Sequence, residues 1–294
     1  MNIFITGGTG GIGTSLTKRL LAMDFQVVVL TRATLTSNHR RLTYLHGDIL
    51  QPESYSHAIR KADAICHLAA LTHSNDSNAY HRINVEGTKR LLDEAKAQGF
   101  SGRFLHVSTR AIGIECGTYG DSKAQAEELV LHSGLRWTIL RPAEVFGASG
   151  NEAITALAAS AKKSAVILLP GRGNHLLAPV HVDDVINAFT CTLTTGNGIG
   201  QIYTLAGPQE LTYREIAEKI AFHNGRKALF VPVPLALLRL AALFFRLLGF
   251  KHPPLVSDQI PRLRCPKCAD IRSSQKDLKF NPRSLQQNLD AALL

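Results

Sequence analysis

Residues 1–13 read MNIFITGGTGGIG, and this stretch decides the fold of the chain. A short apolar run, Ile3–Ile5, passes directly into five glycines within seven residues, and the SLTKRLLAM that follows has a helical pattern. A strand, a glycine-rich turn and a helix in this order are the first half of a βαβ unit. The opening of the chain therefore predicts a parallel sheet that begins with residue 3.

The spacing of these glycines predicts what the turn binds. It satisfies G-x-G-x-x-G from Gly8 and also the wider T-G-x-x-G-x-x-G from Thr6. Glycine allows backbone angles that a Cβ forbids and lets the main chain approach a pyrophosphate, while the helix N-terminus offers free N–H groups. We interpret the turn as a dinucleotide site; a glycine-rich turn that binds nothing is the alternative. The candidate cofactor-binding residues here are Gly7, Thr9, Gly10, Gly11, Ile12 and Gly13.

Strand and helix patterns alternate through the first half of the chain. This alternation predicts an α/β fold with a doubly wound parallel sheet of Rossmann type. We expect a dinucleotide-binding domain over residues 1–147 and an interleaved, smaller substrate-binding region over 148–294. The later predicted strands are Phe25–Leu30, Leu42–His46, Ala64–Leu68, Phe104–Val107, Trp137–Leu140, Val166–Leu169 and Gln201–Leu205, and the predicted helices include Asn84–Ala97, Tyr119–His132, Glu152–Lys163, Asp183–Thr192 and Thr212–His223.

The exit of the second predicted strand indicates which dinucleotide is preferred. In doubly wound sheets an acid near this point binds the ribose 2′-hydroxyl of NAD. This chain has Arg32 there instead, and no acid. A guanidinium group suits a 2′-phosphate because its donors are planar and bidentate. We therefore expect NADP(H) in preference to NAD; the alternative is that Arg32 points into solvent and NAD binds.

A hydroxyl, a phenol and an ammonium group form the candidate catalytic site. Tyr119 and Lys123 are spaced i and i+4, so they share one face of a predicted helix. A lysine beside a tyrosine favours the phenolate and lowers a pKa that is otherwise about 10. Thr109 ends a predicted strand ten residues earlier and is expected to orient the substrate oxygen. These groups beside a nicotinamide predict hydride transfer with proton transfer by the tyrosine.

Eight short motifs give the chain a resemblance to a known family, and they extend over nearly two-thirds of its length. It resembles the extended short-chain dehydrogenases/reductases, which include nucleotide-sugar epimerases and dehydratases and hydroxysteroid dehydrogenases. The motifs are Thr6–Gly13, Asp48-Ile49, His67-Leu-Ala-Ala70, Asn84-Val-Glu-Gly-Thr88, Val107-Ser-Thr109, Tyr119-x-x-x-Lys123, Leu140-Arg-Pro142 and His181-Val-Asp-Asp-Val185.

The resemblance implies a role for each matched position. It places two residues beside the adenine, Asp48 and Ile49, and a floor of small residues beneath the cofactor. The positions implied to contact the cofactor are Asp48, Ile49, Leu68, Ala69, Ala70, Tyr119, Lys123 and Pro142, and the positions implied to be catalytic are Thr109, Tyr119 and Lys123, with Ser108 as an alternative hydroxyl.

Two departures from the family pattern bear on the substrate. The segment between Thr109 and Tyr119 is shorter than in sugar-nucleotide epimerases, and residues 176–179 read LLAP where those enzymes tend to carry an arginine for the diphosphate. The short segment implies a trimmed loop over the substrate, and the missing arginine, together with the apolar helix predicted over 234–250, favours a less polar hydroxyl or ketone substrate.

Three functional hypotheses follow from these motifs. The first is an NAD(P)-dependent oxidoreductase that acts on a secondary alcohol or ketone, lipophilic ones included. The second is a nucleotide-sugar epimerase or dehydratase with tightly bound NAD. The third is a catalytically silent scaffold that binds NADP.

Charge and cysteine count indicate which partners and which cellular compartment to expect. The chain carries 33 basic and 23 acidic side chains, a net charge of +10. The basic residues are scattered, so a small-molecule substrate is expected rather than nucleic acid. An odd count of five cysteines without a secretory leader predicts reduced thiols and a cytoplasmic location. Cys265 and Cys268 form a C-x-x-C, which we interpret as two ordinary thiols because no second ligand pair for a metal is near.

An unusual apolar segment covers residues 234–250, PLALLRLAALFFRLLGF. Its two charges, Arg239 and Arg246, are seven residues apart and lie on one face of a predicted helix. The segment is short and charged for a membrane span. Three interpretations remain open: a buried or pocket-lining helix, an interfacial helix that contacts lipid, and a contact between the subunits of a homodimer.

Overall fold

Strands and helices alternate along the chain. The computed structural model describes residues 1–147, 153–225, 227–248 and 255–289. The strands are β1 Asn2–Thr6, β2 Gln26–Thr31, β3 Leu42–His46, β4 Ala64–His67, β5 Arg103–Val107, β6 Arg136–Pro142, β7 Val145–Phe146, β8 Val166–Pro170, β9 Leu176–Leu177, β10 Val180–His181, β11 Gln201–Leu205, β12 Leu211–Thr212 and β13 Leu229–Val233. The helices are α1 Gly11–Ala22, α2 Ser56–Arg60, α3 Ser77–Tyr80, α4 Gly87–Ala97, α5 Gly117–Leu131, α6 Ala153–Lys163, α7 Val182–Thr195, α8 Tyr213–His223, α9 Leu235–Leu247, α10 Gln259–Arg264 and α11 Arg272–Leu278.

The main sheet has seven strands in the order β11-β6-β5-β4-β1-β2-β3. Every neighbouring pair is parallel, and Ile3 of β1 lies opposite Val27 of β2 on one side and Ala64 of β4 on the other. The strand order reverses between β1 and β4, and this switch point is where doubly wound sheets bind their ligands. The predicted doubly wound parallel sheet is therefore confirmed.

Both faces of β1 are covered, which explains why its sequence is a continuous apolar run. Successive side chains of a strand point to opposite faces. Ile3 and Ile5 pack in one cluster with Leu16 and Leu20 of α1. Phe4 packs in a second cluster with residues of α4 and β5. The strand is thus held between helices on both sides, and its glycine turn emerges at the carboxyl edge of the sheet.

The second half of the chain contributes to the main sheet and also forms a separate cluster. β11 adds the seventh strand beside β6, and α7 packs against α1. A third apolar cluster joins α6, α8 and β8. Small two-stranded sheets pair β7 with β10, β9 with β12 and β8 with β13. The second half therefore interleaves with the first.

Several helix boundaries follow directly from side chains. The capping box at Thr212 and Glu215 is present, since each side chain accepts a hydrogen bond from the backbone of the other. The helix predicted from Asn84 begins earlier, with a π-helical turn over His81–Glu86 before α4. Of the helix predicted over Glu152–Lys163, Glu152 lies outside the described residues, as do residues 249–250 of the apolar segment and residues 290–294 of the tail.

In the described part of the chain, no helix combines the length and apolar character that crossing a bilayer requires.

Candidate active site

The glycine turn at the end of β1 has a shape that excludes side chains. Gly7 has a φ of +73°, and a Cβ on Gly7 would lie 2.6 Å from the backbone nitrogen of Ala69. A Cβ on Gly13 would lie 2.6 Å from the Cα of Gly8. Only glycine therefore lets the turn approach the backbone after β4, and α1 approach the turn, this closely. The predicted roles of these two glycines in close packing therefore have a geometric basis.

The first turn of α1 is open to an anion. Gly10 is the N-cap, so no side chain caps the helix, and the first turn contains no acidic residue. The first N–H groups of a helix have no partner within the helix, and the helix dipole places a positive partial charge there. Thr9 and Gly10 are exposed, and Gly11 and Ile12 are partly exposed. The turn thus fits a pyrophosphate group.

A chain of buried hydrogen bonds supports the floor beside the glycine turn. The backbone N–H of Ala69 donates to Thr6 Oγ1, which lies 2.7 Å from His67 Nδ1. On the other side of the ring, His67 Nε2 lies 2.8 Å from Thr88 Oγ1, which donates to the carbonyl oxygen of Asn84. Because Thr6 accepts from Ala69 and Thr88 donates to Asn84, the ring is protonated on Nε2. Burial, and then the charge of Lys123, lower the pKa of His67 to about 3, so the ring is neutral.

Asn84 connects this floor to helix α5. Its Oδ1 accepts from the backbone N–H of Leu71 at 2.7 Å, and its Nδ2 donates to the carbonyl of Leu71 and to Ser122 Oγ. The hydroxyl of Ser122 donates to the carbonyl of Tyr119 at 2.8 Å. The segment 68–71 and the start of α5 are therefore fixed relative to each other by one amide side chain.

The other candidate cofactor residues lie at strand exits along the same edge of the sheet. Arg32 follows β2 and is exposed. Asp48 follows β3, and its Oδ1 accepts from the backbone N–H of Leu50 at 2.9 Å. Ile49 is 7% exposed and packs in the apolar cluster beside Phe4, whereas Pro142 ends β6 and is buried. Leu68, Ala69 and Ala70, which follow β4, are each half-buried.

Tyr119 lies between a hydroxyl group and a guanidinium group. Burial raises the pKa of its phenol, while the charge of Arg262 and a hydrogen bond from Thr109 lower it in part. The guanidinium carbon of Arg262 lies 4.1 Å from the centre of the Tyr119 ring. Thr109 Oγ1 also accepts from the backbone N–H of Ala111 at 3.1 Å. The alternative hydroxyl, Ser108 Oγ, is buried without a hydrogen-bond partner among the described residues.

Lys123 is buried on the face of α5 that packs against β5. Its side chain is 2% exposed, and its Nζ donates to the carbonyl of Val107 at 2.8 Å and lies 3.4 Å from His106 Nε2. Burial lowers the pKa of Lys123 to about 8, with Glu127 opposing the shift. Arg262 is the cation that stacks on the Tyr119 ring, and the predicted effect of Lys123 on this phenol stays a prediction. Sequence reasoning missed Arg262 because it lies far along the chain in a short helix.

Helix α10 is attached to the start of α5 through Asp258. Asp258 Oδ1 accepts from the backbone N–H groups of Thr118 at 2.6 Å and Tyr119 at 3.4 Å. Its Oδ2 accepts from Arg262 Nε at 3.1 Å. Arg262 also donates to the carbonyl of Thr72 at 2.9 Å. A carboxylate at the positive end of α5 is favourable, so these contacts stabilise both helices.

A disulfide bond joins the same two helices, and this corrects the expectation of reduced thiols. Cys116, directly before α5, is bonded to Cys265, directly after α10, with a Cα–Cα distance of 5.1 Å. Cys265 is therefore not one of two ordinary thiols in a C-x-x-C, whereas Cys268 is free and exposed. The pair is 149 residues apart, so spacing alone could not indicate it. Among the described residues, no group of three or more potential ligands is placed to hold a metal ion.

A buried ionic cluster lies directly beyond Thr109. Arg110 is 3% exposed and pairs with Glu144 at 2.8 Å and with Glu210 at 3.2 Å. Lys267 Nζ lies 3.4 Å from Glu144, which also accepts from the backbone N–H of Ala178. Burial raises the pKa of Glu144, but Arg110 and Lys267 outweigh it, and the net shift is downward. The cluster fixes the exit of β5, which carries Thr109.

The sequence is similar to those of several characterised enzymes. It is 27% identical over 259 residues to a trifunctional UDP-glucose 4,6-dehydratase/UDP-4-keto-6-deoxy-D-glucose 3,5-epimerase/UDP-4-keto-L-rhamnose-reductase of Arabidopsis thaliana, covering 74% of this chain but 39% of that protein. It is 26% identical to a 4-hydroxy-2-methyl-3-oxo-4-farnesyl-3,4-dihydroquinoline-1-oxide ketoreductase of Stigmatella aurantiaca, covering 82% of this chain and 79% of that one. It is 24% identical to a 2-alkyl-3-oxoalkanoate reductase of Stenotrophomonas maltophilia, covering 98% and 97%. The chain thus spans well under half of the first of these relatives and nearly all of the last.

Solved structures share the fold over the whole chain. A dTDP-glucose 4,6-dehydratase from Bacillus anthracis in complex with NAD superposes with a TM-score of 0.77 at 20% identity, covering 100% of this chain and 95% of that one. A UDP-glucose 4-epimerase from Thermotoga maritima with UDP-glucose superposes with a TM-score of 0.78 at 18% identity, covering 100% and 97%. At these identities the likeness supports the fold alone.

The family itself follows from the sequence match, which the site geometry supports. The glycine turn, the floor beneath it and the Tyr119 site occupy the carboxyl edge of one parallel sheet. A family model matches residues 3–206, which cover this whole sheet except for part of the first strand. The chain belongs to the NAD dependent epimerase/dehydratase family.

Proposed function

We propose that this chain is a nicotinamide-dependent oxidoreductase that reduces a ketone, or oxidises the corresponding secondary alcohol, on a lipophilic substrate. The observation that carries the proposal is the buried phenol of Tyr119 under the guanidinium group of Arg262, on the helix that follows the exit of β5 at Thr109, in the sheet that bears the glycine turn. A hydroxyl group at this strand exit and a phenol at the start of the following helix are suited to bind a single substrate oxygen.

The residues that would hold the cofactor are those of the glycine turn and of the floor beside it. The open first turn of α1 receives the pyrophosphate, and the half-buried segment 68–70 forms the floor beneath the nicotinamide half. Arg32 is exposed at the exit of β2, and a guanidinium group there supports NADP(H) as the proposed cofactor because it suits a 2′-phosphate. When bound, the nicotinamide supplies or accepts the hydride.

Tyr119 moves the proton in this proposal. Its pKa is raised overall, so at neutral pH the phenol is protonated and able to donate to a carbonyl oxygen. Thr109 donates a hydrogen bond to the same oxygen and orients it. As the proton leaves Tyr119, the guanidinium group of Arg262 over the ring stabilises the phenolate that forms.

The proposed substrate class rests on the chain's own residues and on its relatives. Residues 176–179 are Leu-Leu-Ala-Pro, and Leu177 and Ala178 are buried, so this stretch offers no guanidinium for a diphosphate. Two relatives are named for reactions on farnesyl- and alkyl-substituted ketones, and one of them matches this chain over nearly its full length. A ketone with a long apolar substituent is therefore the proposed substrate.

Substitution of Tyr119 tests the catalytic assignment. Tyr119→Phe removes the proton donor and keeps the ring, so turnover of NADPH with alkyl-substituted oxo acids and sterol ketones should fall by about 10²–10⁴-fold. Binding of NADPH, followed by fluorescence, should remain close to wild type. Tyr44→Phe is the matched control, because Tyr44 lies within β3 away from the site. Full activity of Tyr119→Phe would disprove the assignment.

A titration with NADPH and NADH tests the proposed cofactor. Arg32→Ala should weaken NADPH binding about tenfold or more, because a charge-assisted hydrogen bond is lost, and should leave NADH binding unchanged. Arg136→Ala removes an exposed arginine at the start of β6 and serves as the control. Tight NADH binding that does not respond to Arg32→Ala would contradict the preference for NADP(H).

A nucleotide-sugar epimerase or dehydratase is the second candidate, favoured by the match to the Arabidopsis thaliana enzyme. It predicts that purified protein carries a stoichiometric nicotinamide and converts UDP-glucose or dTDP-glucose without net oxidation of NADPH. Protein that purifies free of nucleotide and reduces ketones excludes this candidate. Binding of NADPH without turnover of any ketone or sugar nucleotide would instead support the silent scaffold.

A further inference from the structure

Helix α9 presents an apolar face that no described part of the chain covers. Its only fully buried residue is Ala242. Leu240, Leu243 and Leu247, at positions i, i+3 and i+7, share one face and are 61%, 46% and 76% exposed. Phe244 beside them is 58% exposed. A soluble monomer rarely leaves an unbroken apolar surface of this kind in water, so the face is an interaction surface.

Two arginines define one edge of this face. Arg239 and Arg246 are seven residues apart, so they lie in one row along the helix, about a quarter turn from the exposed leucines. Both are exposed, and neither forms an ion pair with any residue in the described ranges. Arg264, on the adjacent helix α10, is exposed too. The rim of the apolar face is therefore positively charged.

The charges along α9 indicate which kind of partner its apolar face binds. Helix α9 contains no acidic residue, so a second copy of the chain packed face to face would bring arginine rows together without neutralisation. An anionic lipid surface supplies negative charge at the level of the head groups and apolar chains below it. Arginines a quarter turn from the buried face can extend to the head groups while their methylene stems stay among the acyl chains.

We propose that the outer face of α9 docks on an anionic phospholipid surface, with Leu240, Leu243 and Leu247 inserted below the head groups and Arg239 and Arg246 bound to phosphates. The helix lies in the plane of the surface, since its 13 residues are too short to span a bilayer. The net charge of +10 on the whole chain attracts it to the same surface. Docking needs neither cofactor nor substrate, so it is tested independently of the proposed reaction.

Sedimentation of the full chain with lipid vesicles tests this proposal. The chain should bind vesicles rich in phosphatidylglycerol, bind phosphatidylcholine vesicles weakly, and lose affinity as salt rises. Leu247→Glu should lower the partition onto phosphatidylglycerol vesicles at least tenfold, because one leucine leaves the acyl region and a negative charge is added. Arg239→Gln with Arg246→Gln should lower the same partition several-fold and leave phosphatidylcholine binding unchanged.

Met23→Glu is the matched control, because it makes the same charge change at an exposed apolar side chain outside α9, at the end of α1. It should bind vesicles like the unaltered chain, and all variants should keep their melting temperature because the changed side chains are exposed. Two results would overturn the proposal. One is no vesicle binding by the unaltered chain. The other is a dimer in light scattering that Leu247→Glu dissociates, with vesicle binding unaffected by the substitution.

Discussion

The pKa of the tyrosine in the candidate site depends on a residue more than a hundred positions later in the chain. Arg262 lies over the Tyr119 ring and lowers its pKa against the larger effect of burial. An arginine suits this position because its flat, delocalised guanidinium stacks on an aromatic face and stays charged at all working pH values. The state of the phenol therefore depends on where α10 sits.

Replacement of Arg262 by Gln should raise the pKa of Tyr119 further. In the oxidative direction Tyr119 must act as a base, so the rise of kcat/KM with pH should move to higher pH in this variant. Arg262→Lys retains the charge and should restore part of the shift. The measurement is the pH profile of alcohol oxidation for the three proteins. A lower kcat/KM with an unmoved profile would mean that Arg262 acts only by packing.

Lys123 gives a second pH dependence with the opposite direction. Its pKa is lowered to about 8 by burial, so the ammonium form is present below this pH and is lost as the pH rises through it. If the ammonium group binds the cofactor ribose, affinity for NADPH should fall as the pH rises through about 8. Titrations across this range should show the step in the unaltered chain and in Lys89→Met, an exposed control. The same step in Lys123→Met would exclude this role for Lys123.

At the scale of elements, Asn84 joins the floor segment to helix α5. Asn84→Ala removes the two hydrogen bonds to the part-buried backbone of Leu71; each bond contributes about 0.5–1.5 kcal/mol, so the two together contribute about 1–3 kcal/mol. We expect chemical denaturation to show a loss of free energy of unfolding in this range, with weaker NADPH binding. Asn187→Ala, which breaks an exposed bond to Arg19, should change the free energy of unfolding by less than about 0.5 kcal/mol. Equal losses in the two variants would contradict the role of Asn84.

The elements that the sequence predicts are those with a local cause. The strands of the main sheet are apolar runs between turns, and α8 begins at a capping box, so both are visible within a few residues. Strands of two residues, such as β9 and β12, exist only because they pair with each other. Helix α10 has six residues with Pro261 among them, which no periodic pattern marks. Its position over Tyr119 is set by tertiary contacts alone.

At the scale of the molecule, some groups of the candidate site can be predicted from the sequence and others cannot. The glycine turn and Thr109 follow strands of one parallel sheet, so they lie at the same carboxyl edge, and the sequence order suffices to predict this. The groups from the C-terminal region reach the same edge only after the chain has crossed back over the sheet. Asp258 contacts Thr118 across 140 residues, and Lys267 contacts Glu144 across 123. No signal in either segment indicates the other.

The disulfide bond between Cys116 and Cys265 should stabilise the whole molecule. It closes a loop across a separation of 149 residues, and restricting so long a loop in the unfolded chain contributes about 3–5 kcal/mol. Changing both cysteines to alanine should lower the free energy of unfolding by about this amount. A reductant should lower the stability of the unaltered chain equally and leave the double variant unchanged. Cys191→Ala, which removes a free thiol, should respond to reductant like the unaltered chain.

The same variants show whether the disulfide affects only stability or also the pKa of Tyr119, because α10 has a second attachment to α5. With the disulfide broken, Asp258 still accepts from the backbone of α5, and Arg262 still lies over Tyr119. Reduction should therefore lower stability at ambient temperature without moving the pH profile of alcohol oxidation, since the groups that set the pKa of Tyr119 remain. A profile that moves on reduction, as in Arg262→Gln, would show that the disulfide holds Arg262 in place. If unfolding of the unaltered chain does not respond to reductant, the two cysteines are not bonded in solution.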